Sequence, residues 1–301
     1  VHLEMMAQLL DALPAAARLV LLGDKDQLSS VEAGAVFADL CQGAEQGAER
    51  ASAGRYNAET TAWIRELTGH ELPPSELGDG GALAQQTVTL RKSQRFGGPI
   101  GQLALAINQG DAAAALDALR KDEAGPVSKV TAREAAAVVP LALRGREGAA
   151  GGYATYLDRL AQRPAAADAD HEMFEAWARD VIRAFDSFRV LCAVREGAWG
   201  VSGLNNAIER ALAKAGELSG RGERYAGRPV MVTRNDATLR VFNGDIGIVR
   251  SVDVEGAALS VDFDGRGVVY DAGELDRLVL AYATTIHKAQ GLTLDRAYID
   301  L

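Results

Sequence analysis

The chain has 301 residues, of which 48% are hydrophobic and 24% are charged, and its formal net charge is −9 at pH 7. This length has room for two domains, or for one large domain with an insertion. No apolar run approaches the roughly 18–20 residues that a membrane-spanning helix needs, and the negative charge disfavours a protein that coats nucleic acid by charge alone. Cys41 and Cys192 match no metal spacing or disulfide framework. We therefore expect a cytoplasmic globular protein with no membrane partner.

The first chemically suggestive stretch is a short apolar run at residues 19–22. A helix is predicted before it over residues 1–13, because apolar residues recur there on one helical face and Pro14 follows. The run itself leads into Gly23-Asp24, which is typical of a central parallel strand whose two faces are covered by helices. Ligands bind beyond the carboxyl ends of such strands. Asp24 and Gln27 are therefore candidate ligand contacts, although a Gly-Asp pair is also ordinary turn chemistry.

The same stretch resembles a helicase motif. Gly-Asp-x-x-Gln-Leu at residues 23–28 resembles motif III of superfamily 1 helicases, and Ser-Ser-Val-Glu-Ala-Gly at residues 29–34 is similar to the RecD family, the 5′-to-3′ motors of RecBCD-type exonucleases. The resemblance implies a catalytic site that includes Asp24 and Gln27, with the Gln27 amide directed toward the γ-phosphate of ATP. An uncharged amide suits that position because it can donate to a phosphate oxygen and orient water.

A second motif follows a predicted strand at residues 87–90. Arg-Lys-Ser-Gln-Arg-Phe at residues 91–96 resembles helicase motif IV, which makes Arg95 the arginine that contacts the γ-phosphate across the cleft between two motor domains. A guanidinium suits this task because its planar fork stays charged and can bind two phosphate oxygens. By itself, an arginine in a basic run is more often an ordinary surface residue. Gln94 stands where relatives carry tyrosine, which departs from the pattern expected for stacking on adenine.

Much of the chain between these motifs and the next ones is predicted to be helical. Residues 44–81 form a surface excursion that contains a helix near residues 56–67, and further helices are predicted at residues 100–109, 153–162 and 171–185. Residues 112–143 are Ala-rich and have helical propensity. We assign no chemistry to these regions.

A buried strand predicted at residues 188–194 leads into a glycine-rich loop. Arg-Glu-Gly-x-x-Gly-Val-x-x-Leu-Asn at residues 195–205 is similar to a RecD-family stretch, and an amphipathic helix with Leu204, Ile208 and Leu212 begins within it. The start of this helix is predicted to offer free backbone N–H groups to a DNA phosphate, and Asn205 is a candidate DNA-binding residue. A glycine loop that serves only a tight turn explains the pattern equally well.

Residues 225–277 are predicted to form a small antiparallel barrel. Short alternating strands at residues 245–252, 258–263 and 268–270 are separated by Asn-Gly, Glu-Gly and Asp-Gly pairs, which favour tight hairpins. The Asn-Asp pair at residues 235–236 and Phe-Asn-Gly-Asp-Ile-Gly at residues 242–247 resemble the SH3-like insertion of RecD-type helicases. The resemblance makes Asn235 a candidate DNA contact.

The third motif follows an apolar strand predicted from Leu278. Thr-Ile-His-Lys-Ala-Gln-Gly at residues 285–291 resembles helicase motif V. Its hydroxyl, imidazole, ammonium and amide groups suit a turn that grips a sugar-phosphate backbone without reading sequence. The resemblance assigns DNA contacts to Thr285, His287 and Lys288 and the nucleotide-facing part to Gln290 and Gly291. Thr293 stands where the family often has an acid that contacts ribose.

These motifs together imply an α/β fold with P-loop NTPase (RecA-like) helicase domains, parallel sheets and an inserted SH3-like β-barrel. We expect four segments: residues 1–92 as the C-terminal part of a first motor domain, residues 93–224 as the start of a second, residues 225–277 as the barrel, and residues 278–301 as the continuation of the second motor domain. A Walker A phosphate loop, the Walker B Asp-Glu pair and motif VI are missing from the sequence. We therefore expect an internal fragment of a longer helicase, inactive when isolated.

The implied function is that of an ATP-dependent 5′-to-3′ DNA helicase subunit in a RecBCD-type helicase and nuclease. ATP and Mg²⁺ are the expected cofactors, with the Mg²⁺ ligands outside this sequence, and the expected partners are single- and double-stranded DNA and RecB-like and RecC-like subunits. Two alternatives remain open. One is a stand-alone RecD-like helicase or the helicase half of a conjugative relaxase; the other is a non-enzymatic DNA-binding or assembly module derived from a helicase.

Overall fold

The computed structural model describes residues 3–25, 36–46, 56–90, 97–120, 126–146, 151–164, 171–215, 218, 225–252, 258–263, 266–290, 292 and 294–300. The chain divides into two compact units, unit 1 (Val1–Ser128) and unit 2 (Lys129–Leu301). The domain boundary predicted between residues 92 and 93 does not coincide with this division, and the four-segment assignment stays a prediction. Among the described residues, no helix combines the length and the apolar character that crossing a bilayer requires.

Helices make up the regular structure described in unit 1: α1 Leu3–Ala12, α2 Val36–Gln46, α3 Ala58–Thr68, α4 Ala82–Gln85, α5 Gly98–Asn108 and α6 Ala112–Arg120. The helices predicted near residues 1–13, 56–67 and 100–109 are confirmed as α1, α3 and α5. Local signals set the ends of α3. The Asn57 side chain accepts a hydrogen bond from the Thr60 N–H at its start, and Gly69, with a φ of 72°, ends it in the left-handed conformation that glycine adopts most easily.

The predicted buried strand at residues 19–24 is wrong for this structure. These residues form no strand, and Val20 and Leu22 are 77% and 91% exposed. Residues 87–90, also predicted as a strand, form none, and Leu90 is 92% exposed. A strand needs a neighbour that shares its backbone N–H and C=O groups, and the described part of unit 1 contains no strand that could pair with either segment. Both apolar runs therefore remain exposed segments.

Unit 2 is a mixed α/β structure. Its helices are α7 Val139–Arg144, α8 Ala154–Ala161, α9 His171–Asp186 and α10 Val201–Ala215, and its strands are β1 Phe188–Cys192, β2 Pro229–Val232, β3 Ile246–Val252, β4 Ala258–Phe263, β5 Arg266–Asp271, β6 Leu278–Leu280, β7 Ala283–Thr285 and β8 Arg296–Asp300. The predicted helices at residues 153–162 and 171–185 are confirmed as α8 and α9, and the strand at residues 188–194 is confirmed as β1. Among the residues of the Ala-rich region that the structure describes, only α6, α7 and a short 3-10 helix before α7 are helical.

β1 is the central strand of a three-stranded parallel sheet with the order β7-β1-β8. All five of its residues are buried, as expected for a strand that has neighbours on both sides and helices over it. An aromatic cluster packs beside the strand. The Tyr153 ring stacks on Phe185 with centroids 5.2 Å apart and meets the ring of Phe188 edge-on at 5.1 Å. This sheet and its helices form the core of unit 2.

The remaining five strands form an antiparallel sheet with the order β5-β4-β3-β2-β6. Its apolar side chains build a separate core that includes Val230, Val249, Val261 and Phe263. Gly247 lets β3 and β4 approach closely, because a Cβ atom at this position would lie 2.7 Å from the Asp262 carbonyl oxygen. We refer to this sheet, residues 229–280, as the barrel.

The apolar run that begins at Leu278 is two strands rather than the single strand that the sequence predicts. β6 pairs antiparallel with β2 in the barrel, with Val230 opposite Leu280, whereas β7 pairs parallel with β1. The buried residues Ala281 and Tyr282 connect the two. Residues 278–280, which the predicted domain boundary assigns to a motor domain, therefore pair within the barrel sheet.

Candidate nucleic-acid interface

The carboxyl ends of the three parallel strands meet at one edge of the sheet in unit 2. Cys192, the last residue of β1, lies opposite Thr285 of β7 and Asp300 of β8. We call this the carboxyl edge. The glycine loop after β1 and the turn after β7 both leave the sheet here, so the structure brings together two stretches that are almost a hundred residues apart in sequence. Ligands of parallel α/β sheets bind at this kind of edge.

The turn after β7, residues 285–290, contains a short 3-10 helix, Ile286–Ala289, which Thr285 caps. The Thr285 hydroxyl accepts a hydrogen bond from the Lys288 N–H at 3.3 Å, and the hydroxyl proton can still be donated. His287 and Gln290 are exposed and Lys288 is half-buried. The structure thus presents imidazole, ammonium and amide groups from one turn, which we call the Thr285 turn.

The barrel contributes a second turn to the same place. Residues 242–245 form the Asn243 turn, closed by a 3.0 Å bond from the Asp245 N–H to the Phe242 carbonyl. The Lys288 Nζ donates to the Asn243 Oδ1 at 3.0 Å, and the Asn243 N–H donates to the Asn235 Oδ1 at 2.8 Å. Asn235, predicted as a DNA contact, is exposed and is linked in this way to the Thr285 turn. Asn243 and the 56%-exposed Phe242 join the candidate site without having been predicted for it.

An acidic residue holds the loop that carries these groups. The Asp236 carboxylate accepts hydrogen bonds from the N–H groups of Thr238 and Leu239 at 2.9 and 3.0 Å, and from the Arg277 guanidinium at 3.0 Å. The Leu239 bond first, and the Arg277 charge with it, hold the pKa of the Asp236 carboxyl below its usual value. Asp236 therefore remains ionised and fixes the loop that leads to the Asn243 turn.

Two cationic residues, Arg195 and Lys288, lie on the loop and the turn that leave the sheet at the carboxyl edge. Burial lowers the pKa of the Lys288 ammonium, and the nearby positive charge of Arg195 lowers it further. Arg195 lies on the exposed loop after β1. A guanidinium and an ammonium are both groups that bind phosphate oxygens.

The glycine loop itself does not offer the free N–H groups that the sequence predicts. The Val201 and Ser202 N–H groups donate to the carbonyls of Val194 and Arg195 at 3.2 and 3.0 Å. The loop folds so tightly onto the first turn of α10 that a Cβ at Gly203 would lie 2.3 Å from the Gly197 carbonyl oxygen. The glycines are required for this packing, and these N–H groups are already used within the protein.

Asn205 is also corrected: it is not a surface residue available to DNA. Its side chain is buried at 4% exposure. The Nδ2 donates to the carbonyls of Leu280 and Ala283 at 3.2 and 2.9 Å, and the Oδ1 accepts from the Ala283 N–H at 2.8 Å. Asn205 therefore fastens the segment between the barrel and β7, and the three bonds leave it no access to a ligand.

The residues predicted for the nucleotide are described only in part. Gln27, Arg95 and Gly291 lie outside the described residues. Asp24, in unit 1, and Gln290, in unit 2, are both exposed, so the side chains that are described are accessible to a ligand. Within the described ranges, no group of three His, Cys, Asp or Glu side chains could hold a metal ion.

Two family profiles match separate parts of the chain. A family profile described as an AAA domain matches residues 1–70. A second profile, described as the ATP-dependent RecD-like DNA helicase SH3 domain, matches residues 204–263, which include most of α10 and strands β2 to β4. Together with the parallel and antiparallel sheets, these matches confirm the predicted fold class, P-loop helicase domains with an SH3-like insertion.

RecD proteins match almost the whole chain. The RecBCD enzyme subunit RecD of Mycolicibacterium smegmatis is 35% identical over 317 residues, which cover 100% of this chain and 43% of that protein. RecD of Haemophilus influenzae is 31% identical, with 97% and 43% coverage. The ATP-dependent RecD2 DNA helicase of Deinococcus radiodurans is 42% identical over 106 residues, 34% of this chain and 14% of that protein.

Among solved structures, the Pif1 helicase from Bacteroides in complex with ADP-AlF3 and ssDNA is 19% identical to the chain. The match covers 57% of this chain and 44% of that one, and its TM-score of 0.28 is too low to support an inference. The sequence matches carry the assignment instead. The chain spans less than half the length of the curated RecD relatives it matches, and over that span its sequence is similar to theirs.

Proposed function

We propose that the protein containing this chain is an ATP-dependent 5′-to-3′ DNA helicase, acting as the RecD-like subunit of a RecBCD-type helicase and nuclease. The similarity to RecD over the whole chain supports this proposal. The described geometry adds a chemical reason, because a translocating motor needs donors that grip a sugar-phosphate backbone regardless of sequence.

Single-stranded DNA binds along the carboxyl edge in this proposal. Arg195, His287 and Lys288 contact phosphates, and Thr285 donates its hydroxyl proton to the strand. Asn243 and Asn235 extend the contact onto the barrel, where the exposed ring of Phe242 offers a face on which a base can stack. One observation carries the proposal: the two turns lie side by side, with the Lys288 Nζ donating to the Asn243 Oδ1 at 3.0 Å. The overall charge of −9 is compatible with it, because the cations are local.

In the proposed mechanism, Gln27, Arg95, Gln290 and Gly291 contact ATP, and Asp24 belongs to the same catalytic site. ATP supplies a phosphoryl group whose transfer to water drives the motor, and Mg²⁺ is held by residues outside this sequence. The chain's own contribution is to orient water through the Gln27 amide and to stabilise negative charge through Arg95.

The assignment to a RecBCD-type complex implies RecB-like and RecC-like partner subunits, cytoplasmic action, and a role in double-strand-break repair and recombination. A stand-alone RecD-like helicase or a relaxase is the second candidate. The short matches to RecD2 and to the conjugal transfer protein TraA of Agrobacterium fabrum, 37% identical over 98 residues, favour it. Co-purification of the full-length protein with RecB-like and RecC-like chains separates the two.

The direct test of the DNA interface is the substitution Lys288→Ala in the full-length protein. We expect the affinity for single-stranded oligonucleotides to fall several-fold, and the slope of log affinity against log salt to become shallower by about 0.7, the contribution of one phosphate contact on a single strand. Lys214→Ala, on an exposed lysine of α10, is the matched control and leaves both quantities unchanged. An unchanged slope for Lys288→Ala would remove this lysine from the interface.

A further inference from the structure

Two adjacent chain segments connect the barrel to the rest of unit 2. We call residues 225–229, through which the chain enters the barrel, the entry crossing, and residues 280–283, through which it leaves, the exit crossing. The two crossings run side by side, because Val230 of β2 lies opposite Leu280 of β6 and the Ala281 N–H donates to the Pro229 carbonyl at 3.1 Å. Whatever holds these two crossings therefore sets the orientation of the barrel.

One face of α10 contacts both crossings through polar side chains. Asn205 and Glu209 are four residues apart, so they lie on the same face of the helix. Asn205 binds the exit crossing through its bonds to Leu280 and Ala283. Glu209 binds the entry crossing: its Oε1 accepts the Tyr225 hydroxyl at 2.9 Å and lies 3.6 Å from the Arg228 Nε.

A second helix repeats this arrangement with hydroxyl groups. The Tyr153 side chain, at the start of α8, donates to the carbonyl of Tyr282 in the exit crossing, and the Tyr156 side chain donates to the carbonyl of Gly227 in the entry crossing. Burial raises the pKa of the Tyr153 hydroxyl to about 12 and raises that of Tyr156 as well. Both hydroxyls therefore keep their protons and remain donors at any physiological pH.

The two crossings are also joined to each other between these helices. The hydroxyl oxygens of Tyr225 and Tyr282 are 3.3 Å apart, and both side chains are buried. Gly227 permits the entry crossing to pass under α8: its φ is +88°, and a Cβ there would lie 2.2 Å from a methyl group of Leu160. Tyr153, Tyr156 and Asn205 thus bind the backbone of the two crossings, and Glu209 binds side chains of the entry crossing.

Directional hydrogen bonds can fix the orientation of the barrel more tightly than apolar packing alone. Apolar contacts tolerate small rotations and slides, whereas buried hydrogen bonds lose their full value when donor and acceptor separate. By contrast, the only bond described between the Asn243 turn and the Thr285 turn, from Lys288 to Asn243, lies at the surface and is too weak to orient a domain. Ile248 of β3 also packs in the core around β1, and the directional bonds at the base of the barrel can fix the orientation that this apolar packing leaves loose.

We propose that Tyr153, Tyr156, Asn205 and Glu209 form a two-helix clamp that positions the barrel relative to β7. The clamp holds the Asn243 turn within reach of the Thr285 turn and so assembles the two halves of the DNA interface. These four are positioning residues, since none of them contacts DNA. The orientation of the barrel stands on geometry alone; the DNA consequence rests on the proposed function.

Distance measurements between spin labels on the barrel and on α9, in the full-length protein, test the clamp. The labels replace two exposed residues, Val269 on β5 and Asp180 on α9, after Cys41→Ser. We expect one narrow distance distribution in the parent protein. Asn205→Ala and Glu209→Ala broaden or split it, whereas Asn206→Ala, on the neighbouring exposed asparagine of α10, leaves it narrow.

Two milder variants keep the test valid should an alanine variant fail to fold. Tyr156→Phe removes a single oxygen and should broaden the distribution, and Glu209→Gln retains an acceptor for the Tyr225 hydroxyl and should restore much of its narrowness. Variants with a lower Tm and an unchanged narrow distribution would overturn the proposal, because the four side chains would then contribute stability without setting orientation.

The DNA consequence has its own measurement. In DNA-stimulated ATP hydrolysis, we expect the clamp variants to raise the KM for single-stranded DNA about three- to tenfold and to leave kcat at saturating DNA nearly unchanged. A broadened distance distribution with an unchanged KM would keep the clamp and contradict the DNA interface. A narrow distribution would contradict the clamp whatever the KM.

Discussion

Two short apolar segments of this molecule differ sharply in burial. In unit 2, β1 has parallel neighbours on both sides and all five of its residues are buried. In unit 1, residues 19–22 also form an apolar run that ends in polar residues, yet their exposure ranges from 36% to 91%. The difference lies in the surroundings, because only β1 has strands beside it among the described residues. An apolar run becomes a strand when partners complete its hydrogen bonds.

The contrast extends to function. The carboxyl end of β1 opens onto a cluster of cations and amides that the structure describes in detail, whereas the functional expectation for residues 19–27 rests on the resemblance to motif III. Experiments can therefore test separately whether the carboxyl edge binds DNA and whether residues 19–27 act as motif III in the full-length protein.

The largest effect is expected from Arg95→Ala in the full-length protein. Loss of a guanidinium that stabilises the transferred phosphoryl group should lower DNA-stimulated ATP hydrolysis by about 10³–10⁵-fold, while single-stranded DNA binding stays measurable because the carboxyl edge is intact. Steady-state turnover and fluorescence anisotropy give the two quantities. Arg120→Ala, in the last turn of α6, is the control, and normal turnover in Arg95→Ala would remove this residue from the nucleotide site.

The contrast between the two apolar segments is tested by two leucines. In the 301-residue chain, Leu204→Ala should lower the free energy of unfolding by about 2–5 kcal/mol, since Leu204 is fully buried. Leu22→Ala should change it by no more than about 0.5 kcal/mol, because Leu22 is 91% exposed. Chemical denaturation measures both.

The same pair in the full-length protein sharpens the comparison. A motif III strand buried between helices would raise the cost of Leu22→Ala to about that of Leu204→Ala. A cost that stays small there would mean that residues 19–24 are exposed in the complete protein too, and the motif III assignment would fail.

Local patterns predicted many of the helices and much of the barrel. Leu204, Ile208 and Leu212 are spaced for one helical face, and all three are at most 1% exposed in α10. Strand β4 has the predicted limits, and the predicted Asn243-Gly244 turn is present, with a φ of 101° at Gly244. Such features depend on neighbours in sequence, so the sequence carries their signal.

Features set by distant contacts were not predictable in this way. Nothing local divides residues 278–285 into β6 and β7, because the division follows from two different partner strands. Asn205 resembles a loop polar residue, yet its hydrogen-bond partners lie 75 and 78 residues away. Asn243 enters the candidate site only because Lys288, 45 residues further on, reaches it; an Asn-Gly turn beside an exposed aromatic residue was the available signal.

Two glycines test the same contrast between packed and exposed segments at single residues. Gly203→Ala should destabilise the chain by about 1–3 kcal/mol, because the added Cβ would meet the Gly197 carbonyl oxygen. Gly81→Ala in unit 1 has nothing within 4 Å of the added atom and should be close to neutral. Thermal unfolding distinguishes them, and equal Tm values would show that the loop after β1 does not pack on α10 as described.

The smallest effect is the acid response of the loop held by Asp236. The folded pKa of this carboxyl lies below its unfolded value of 3.8, so its contribution to stability is present above pH 3.8 and is lost as the pH falls through the lower folded value. Asp236→Asn should remove this part of the pH dependence, whereas Asp158→Asn, at an exposed position on α8, should not. Identical acid-unfolding curves for Asp236→Asn and the parent protein would contradict the assigned role.

Photo-cross-linking of the full-length protein to single-stranded DNA that carries 5-iododeoxyuridine tests the central claim most directly. The account predicts cross-linked peptides from both turns at the carboxyl edge, one containing Phe242 and Asn243 and one containing His287 and Lys288, because both turns contact the same strand. Cross-links that avoid both turns, with the protein fully bound, would contradict it.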